Sequence, residues 1–327
     1  MEKKSVLSRF RGREIGVLTG LILLIIVFSL ANHRFASLDN VLNILRQVSV
    51  VGIMALGMTC VIVCGDIDLS VGATYGMAAM LSGTLMLKGI HCMAAVGIGL
   101  LTGLLIGLLN GLVVTVLRVP AMIATLGMQY IARGCALIVT EGGVVNLMTP
   151  KASEINPSIA SFLSFGSGKV FGMIPNMAIV FIAVVIIMAF VFHKTILGFK
   201  MRAVGGNANA AVVSGINQRA MRIVALMIMG FLSAFAGMLN FAFLNSVQGT
   251  MGEGIEMDVI AAAIIGGASL SGGEGTIVGT VIGVLIMYVL KTGLIYIGAS
   301  AYLQMVFIGV VIIIAVVIDV LTKINRE

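Results

Sequence analysis

The residues best placed to do chemistry lie in one stretch, Cys64-Gly-Asp-Ile-Asp-Leu-Ser-Val-Gly72. Asp66, Asp68 and Ser70 alternate there between two long apolar runs. A carboxylate at the centre of a membrane helix costs about 2.5–3.5 kcal/mol on insertion scales, and such groups usually face a bundle interior or a water-filled cavity. Two readings stand. The pair lines a polar path, or it lies at a helix end, where it costs little and caps the next helix. Gly65 and Gly72 favour a break between two helices. A second turn, Ser269-Leu-Ser271-Gly-Gly273, has a similar style to Asp68-Leu-Ser70-Val-Gly72. A distant internal repeat is one explanation, but five residues do not establish it.

Other reactive groups form no constellation. Cys60 and Cys64 are one helical turn apart in an apolar run, and Cys92 and Cys135 are isolated. That pattern suits small buried side chains rather than a metal site, which needs more ligands. His33, His91 and His193 are scattered near expected helix ends. There is no GxxxxGK[ST] loop, no HExxH and no GxSxG. Gly205-Gly-Asn-Ala-Asn-Ala210 lacks the Lys-Ser/Thr that would reach phosphate and metal. If ATP drives this protein, another subunit holds it.

The elements that position these residues follow from composition. Of 327 residues, 60% are hydrophobic and 10% charged, too few charges to cover a soluble surface. The chain reads as an all-α polytopic membrane protein, a single domain over 1–327. Spans of about 20 apolar residues fall near 15–31, 43–64, 70–87, 92–117, 120–140, 176–193, 222–245, 257–270, 276–297 and 302–320, about ten in all. The eighth is too short to cross unless the glycine-rich residues after it continue inside protein. The basic N-terminus before the first span resembles a signal peptide, but the run is long enough to remain an uncleaved helix. With that end inside, thirteen Lys and Arg fall on cytoplasmic segments, four outside and three (Arg46, Arg133 and Lys291) within spans. The asymmetry matches the positive-inside rule. It accounts for the net charge of +7 without nucleic acid. It puts both termini, the segment 1–14 and residues 194–221 in the cytoplasm. Loop 141–175 and the acidic turn with Glu253, Glu256 and Asp258 lie outside. Gly99, Gly103, Gly107 and Gly111 recur every four residues, as do Gly275, Gly279 and Gly283. Such ladders let helix backbones approach closely in lipid.

Residues 194–221 are the longest cytoplasmic break. Lys194 to Arg222 holds five of the twenty Lys and Arg. Gly205-Gly206-Asn207 reads as a turn, with Asn207 capping a short helix over about 208–213 and Gly215 stopping it. A short helix bracketed by glycines could dock a partner; a basic loop that merely obeys topology is the alternative.

Several blocks, in order, carry a family resemblance: "NILRQVSVVGIMALGMTCVIVCGDIDLSVGA", "VPAMIATLGMQYIARG", "LGFKMRAVGGNANAAVVSGI", "DVIAAAIIGGASLSGGEGTIVGTVIGVLI" and "YLQMVFIGVVIIIAVVID". Across nearly its whole length the chain resembles the membrane-spanning permease subunits of bacterial ATP-binding-cassette sugar importers of the ribose type. The resemblance implies ten helices in the vitamin B12 permease (type II importer) class, and a pore made by two copies or two paralogues. It implies a multi-pass protein of the bacterial inner membrane that is not itself an enzyme. ATP and Mg belong to a cytoplasmic ATPase partner, with no cofactor in this chain. A periplasmic or lipid-anchored binding protein delivers a monosaccharide, and loop 141–175 and turn 249–258 are candidates for its footprint. Residues 198–217 match the segment that docks on the ATPase, which gives Gly198, Arg202, Gly205, Gly206, Asn207, Ala210, Ser214 and Gly215 as coupling residues. Asp68 and Ser70 are expected to line or shape the pathway, with Asp66, Ser269 and Ser271 beside them. Asp66 is a departure, since many relatives carry a neutral residue there. The absence of Trp suits selectivity residing in the binding protein. An ion-driven secondary transporter is the alternative and would want titratable intramembrane carboxylates. A lipid-modifying enzyme would want a His, Asp or Ser constellation, and none converges.

Overall fold

The computed structural model describes residues 12–324. Most of the expected cytoplasmic segment 1–14, and the last three residues, lie outside that range. The fold is a helical bundle: α1 (Gly12–Ala31), α2 (Leu38–Val63), α3 (Val71–Leu87), α4 (Cys92–Thr115), α5 (Ala121–Val139), α6 (Pro150–Ile155), α7 (Ser158–Ser167), α8 (Asn176–Lys194), α9 (Ile196–Gly206), α10 (Ala208–Val213), α11 (Gln218–Leu244), α12 (Ile255–Ile265), α13 (Ile277–Tyr296) and α14 (Ala301–Ile324). Six of these, α2, α4, α5, α8, α11 and α13, are long and apolar enough to cross a membrane. Four shorter apolar stretches accompany them, at Gly16–Ala31, Val71–Leu87, Ser158–Ser167 and Ala301–Ile314.

Helix α2 is the buried axis, with residues 48–64 enclosed by protein. It packs against α11, α13, α8 and α12, while α11 covers α4 and α3. The outer helices keep apolar side chains exposed, among them Leu30, Leu101 and Ile138. A helix apolar all round needs either protein or lipid against it, and this division supplies both.

The glycine ladders face helix partners. A Cβ on Gly103 would overlap the Gly230 carbonyl and Ala234, and one on Gly107 would overlap the Leu226 backbone. The α4–α11 contact is therefore nearly backbone on backbone. Gly279 and Gly283 do the same for α13 against Ala262 of α12 and Gly266 just past its end.

Where the eighth span, 257–270, was expected, α12 is an 11-residue helix that stops before Gly266. Its rise is about 16 Å, half of a hydrocarbon core. Residues 266–276 continue as non-helical chain, buried at Gly266, Ala268, Ser269 and Gly275 and exposed at Ser271 and Glu274. Helix α12 is so short because Gly254, in the left-handed region, precedes it and consecutive glycines follow it.

Residues 141–175 form more than a loop. They hold α6, α7 and a hairpin pairing Lys169–Val170 with Ile174–Pro175. Val145–Asn146 pairs antiparallel with Ser246–Val247. Asn156 donates to the carbonyls of Met86 (3.1 Å) and Ile90 (2.7 Å), which ties the segment to the α3–α4 turn.

Candidate functional site

Residues 64–70 are the break between α2 and α3, as Gly65 suggested, while Gly72 lies in the first turn of α3. Gly65 has φ +88, a conformation that reverses the chain and suits glycine. Asp66 then turns toward α11. Arg222 Nε and Nη2 donate to the two carboxylate oxygens at 2.6 and 2.5 Å. The Asp66 side chain is 4% exposed and that of Arg222 24%. A paired carboxylate can be buried because a bidentate guanidinium replaces most of its water.

Asp68 and Ser70 form a second unit. Asp68 Oδ1 accepts from the Ser70 amide (2.8 Å) and hydroxyl (2.6 Å). Asn110 Nδ2 of α4 donates to the same hydroxyl at 2.9 Å. Thr125 Oγ1 of α5 accepts from the Leu69 amide at 3.0 Å. Asp68 and Ser70 are both buried. Asp68 satisfies the amide and hydroxyl of Ser70 just before α3 begins, while no side chain caps the first turn of α3 itself. The turn is thereby riveted to α4 and α5.

The coupling candidates lie on α9 and α10 or at their ends; Gly205 and Gly206, expected in a turn, are the last two residues of α9, and the chain leaves the helix only at Asn207. Asn207 caps α10, its side chain accepting from the Ala210 amide at 2.9 Å. The Ser214 hydroxyl donates to the Ala210 carbonyl at 2.9 Å, and Gly215 ends the turn at φ +78. Helix α10 spans Ala208–Val213, where the turn residues placed it. Arg202 donates to the Phe192 carbonyl (2.7 Å), and its guanidinium lies over the Phe192 ring at 5.0 Å. Gly198 leaves room for that carbonyl, where a Cβ would overlap.

Gly205 joins the sites. A Cβ there would overlap the Val63 carbonyl and come 2.6 Å from the Gly273 amide nitrogen. That amide donates to Val63 O at 2.9 Å. The end of α2, the α9–α10 corner and the Ser269–Gly275 turn therefore meet backbone on backbone. Gly206 lies beside Gly273 in the same contact. Ser269 is buried at this junction, whereas Ser271 is exposed. The two Leu-Ser turns thus have different surroundings: Ser70 is held by Asp68 and by Asn110 of α4, and the second turn packs on the α9–α10 corner.

Three polar partners escaped the sequence reading. Lys291 pairs with Asp258 at 2.5 Å. Arg133 Nη1 donates to the Gly249 carbonyl at 2.6 Å, and Gln129 Nε2 to Glu256 Oε1 at 3.4 Å. The available signal was spacing: Thr125, Gln129 and Arg133 recur every four residues, one face of α5.

Comparison with known proteins decides the family. The family described as branched-chain amino acid transport system / permease component matches residues 40–316. The ribose import permease protein of Bacillus subtilis (strain 168) is 40% identical over 307 residues, 94% of this chain and 92% of the relative. The chain belongs to the ribose-type family of sugar permeases. The permease is also 38% identical to the ribose import permease of Escherichia coli (strain K12), over 92% of each chain. The galactose/methyl galactoside import permease of that organism is 36% identical, over 100% of this chain and 99% of the relative. No solved structure matches. These relatives are transport permeases and not enzymes. The permease is a multi-pass membrane protein.

Proposed function

We propose that the permease forms the translocation pathway for a monosaccharide handed over by an extracytoplasmic binding protein, with a separate ATPase subunit supplying the work. The single observation that carries the reading is the Gly205 junction. Displacement of α9–α10 cannot be absorbed by flexible side chains there, because backbone touches backbone at Val63 and Gly273. Motion at the corner passes directly into α2 and the α12–α13 link. Ile196 and Phe199 of α9, and Val212 and Val213 of α10, are exposed apolar groups from which an ATPase subunit could gain purchase.

In this reading α9 and α10 face the cytoplasm, both termini lie there, and the six long helices, the shorter α1, α3 and α14, and the half-length α12 supply about ten crossings of the bacterial inner membrane. The architecture is that of the type II importers, with a second copy or paralogue completing the pore. ATP and Mg bind the ATPase subunit, and its nucleotide state shifts the pathway between outward and inward openings. Segment 141–175 and the exposed residues of turn 249–258 meet the binding protein, Glu256 of that turn being buried in α12. Ribose and galactose, the sugars named for the relatives, set the solute class. Asp68 and Ser70 shape the path by fixing the α2–α3 turn. The ion-driven alternative loses support because Asp66 is paired with Arg222, which removes one of the two carboxylates it would want.

The test is Gly205→Val together with Gly206→Val. Overpacking of this kind costs about 1–3 kcal/mol or more, concentrated at the junction. Membrane insertion should persist, while ATPase co-purification and ATP-dependent sugar uptake are lost. Normal uptake by the double variant would sink the coupling role.

A further inference from the structure

The α5 face that carries Thr125, Gln129 and Arg133 is turned inward along a polar seam about 12 Å long. At one end Thr125 holds Leu69, beside Ser70 and Asn110. In the middle Gln129 donates to Glu256 of α12. At the other end Arg133 donates to Gly249. Three atoms along the seam are buried with no hydrogen-bond partner among the described residues: Asn110 Oδ1, Glu256 Oε2 and Arg133 Nη2. Glu256 is 8% exposed and Asn110 1%. No ion pair within 4.0 Å joins Arg133 to Glu256 among the described residues.

Buried polar atoms without partners are expensive, above all at membrane depth. A stable apolar interface would have omitted them, and a structural ion pair would have closed them. Helix α3 makes room instead: a Cβ at Gly72 would come 2.8 Å from Glu256 Oε2. The unpartnered atoms, all three buried, are two acceptors and one donor. Glu256 and Arg133 cancel in charge, so the seam suits neither a bare cation nor an anion. A chain of hydroxyl groups, each both donor and acceptor, matches it.

We propose that the Gln129–Arg133–Glu256 seam between α5 and α12 is the intramembrane contact that hydrogen-bonds the hydroxyls of the passing monosaccharide. This rests on the sugar-permease reading and adds the residues that touch the solute. Contacts with one long hydrogen bond and several unpartnered atoms bind weakly, which suits a path that must release its cargo.

The experiment uses the whole transporter, with ATPase and binding protein, in proteoliposomes. Wild-type uptake is first measured for a panel of pentoses and hexoses, then for monodeoxy analogues of the sugar transported. Glu256→Gln keeps the side-chain shape and removes the charge. Uptake should fall about tenfold or more, equivalent to about 1.4 kcal/mol, with ATPase association intact. The variant-to-wild-type ratio should also differ between the parent sugar and at least one monodeoxy analogue, because the analogue lacks a hydroxyl the carboxylate would hold. The ratio cancels discrimination by the binding protein. Unchanged uptake overturns the assignment, and so does an equal fall for every analogue, which marks a purely structural role. If Glu256→Gln does not insert, Gln129→Ala carries the same comparison with the same two overturning results. Failure of wild type to take up any sugar in the panel would instead overturn the reading of the substrate class.

Discussion

The Asp66–Arg222 pair offers the sharpest quantitative test of how the interior is held together. Arg222→Gln removes the guanidinium and leaves a carboxylate whose side chain is 4% exposed. Two charge-assisted hydrogen bonds vanish, each contributing about 1.5–3 kcal/mol. Breaking a fully buried pair by removing one partner costs about 3–5 kcal/mol. Arg222 is a quarter exposed, so water already screens one side, and about 2–3 kcal/mol is the expected loss. Asp66→Asn should cost less, about 1 kcal/mol, because the freed arginine can extend toward water. The double variant should then recover part of the loss, with a coupling energy of about 2 kcal/mol. The assay is a double-mutant cycle on purified permease, unfolded reversibly by SDS in mixed micelles and followed by circular dichroism. Additivity within about 0.5 kcal/mol, the behaviour of groups out of contact, would refute the pairing. Equal losses from the two single variants would refute the asymmetry.

Two further outcomes follow from the packing and the turn. Gly107→Leu on α4 should destabilise the permease by about 3 kcal/mol or more through overpacking against the Leu226 backbone; Gly97→Leu, where nothing lies within 4 Å of a new Cβ, should be neutral in the same unfolding assay. Asp68→Ala orphans two donations from buried Ser70, at about 1–3 kcal/mol, and should lower sugar uptake severalfold, while Glu253→Ala at an exposed turn position leaves it unchanged; equal uptake by the two variants would remove Asp68 from any role in shaping the path.

The family, the membrane class and the short helix after Asn207 could all be read from the chain alone. The family showed as a resemblance over several blocks; the other two depend on local chemistry: a run of apolar residues, an Asn that can accept from an amide three residues on, a glycine that can turn left-handed. The glycine ladders likewise announced close helix contacts, because a missing Cβ is a property of the residue itself. Which helices the ladders meet was decided by the fold, as was the partner of every buried charge. Arg222 is 156 positions from Asp66, and Glu256 is 127 from Gln129; only packing brings such groups together, since opposite charges in a sequence carry no mark of their mates. The Gly205 junction is the same kind of fact. Glycine at 205 says that something comes near, and the tertiary structure alone says that it is the end of α2 and the turn after α12.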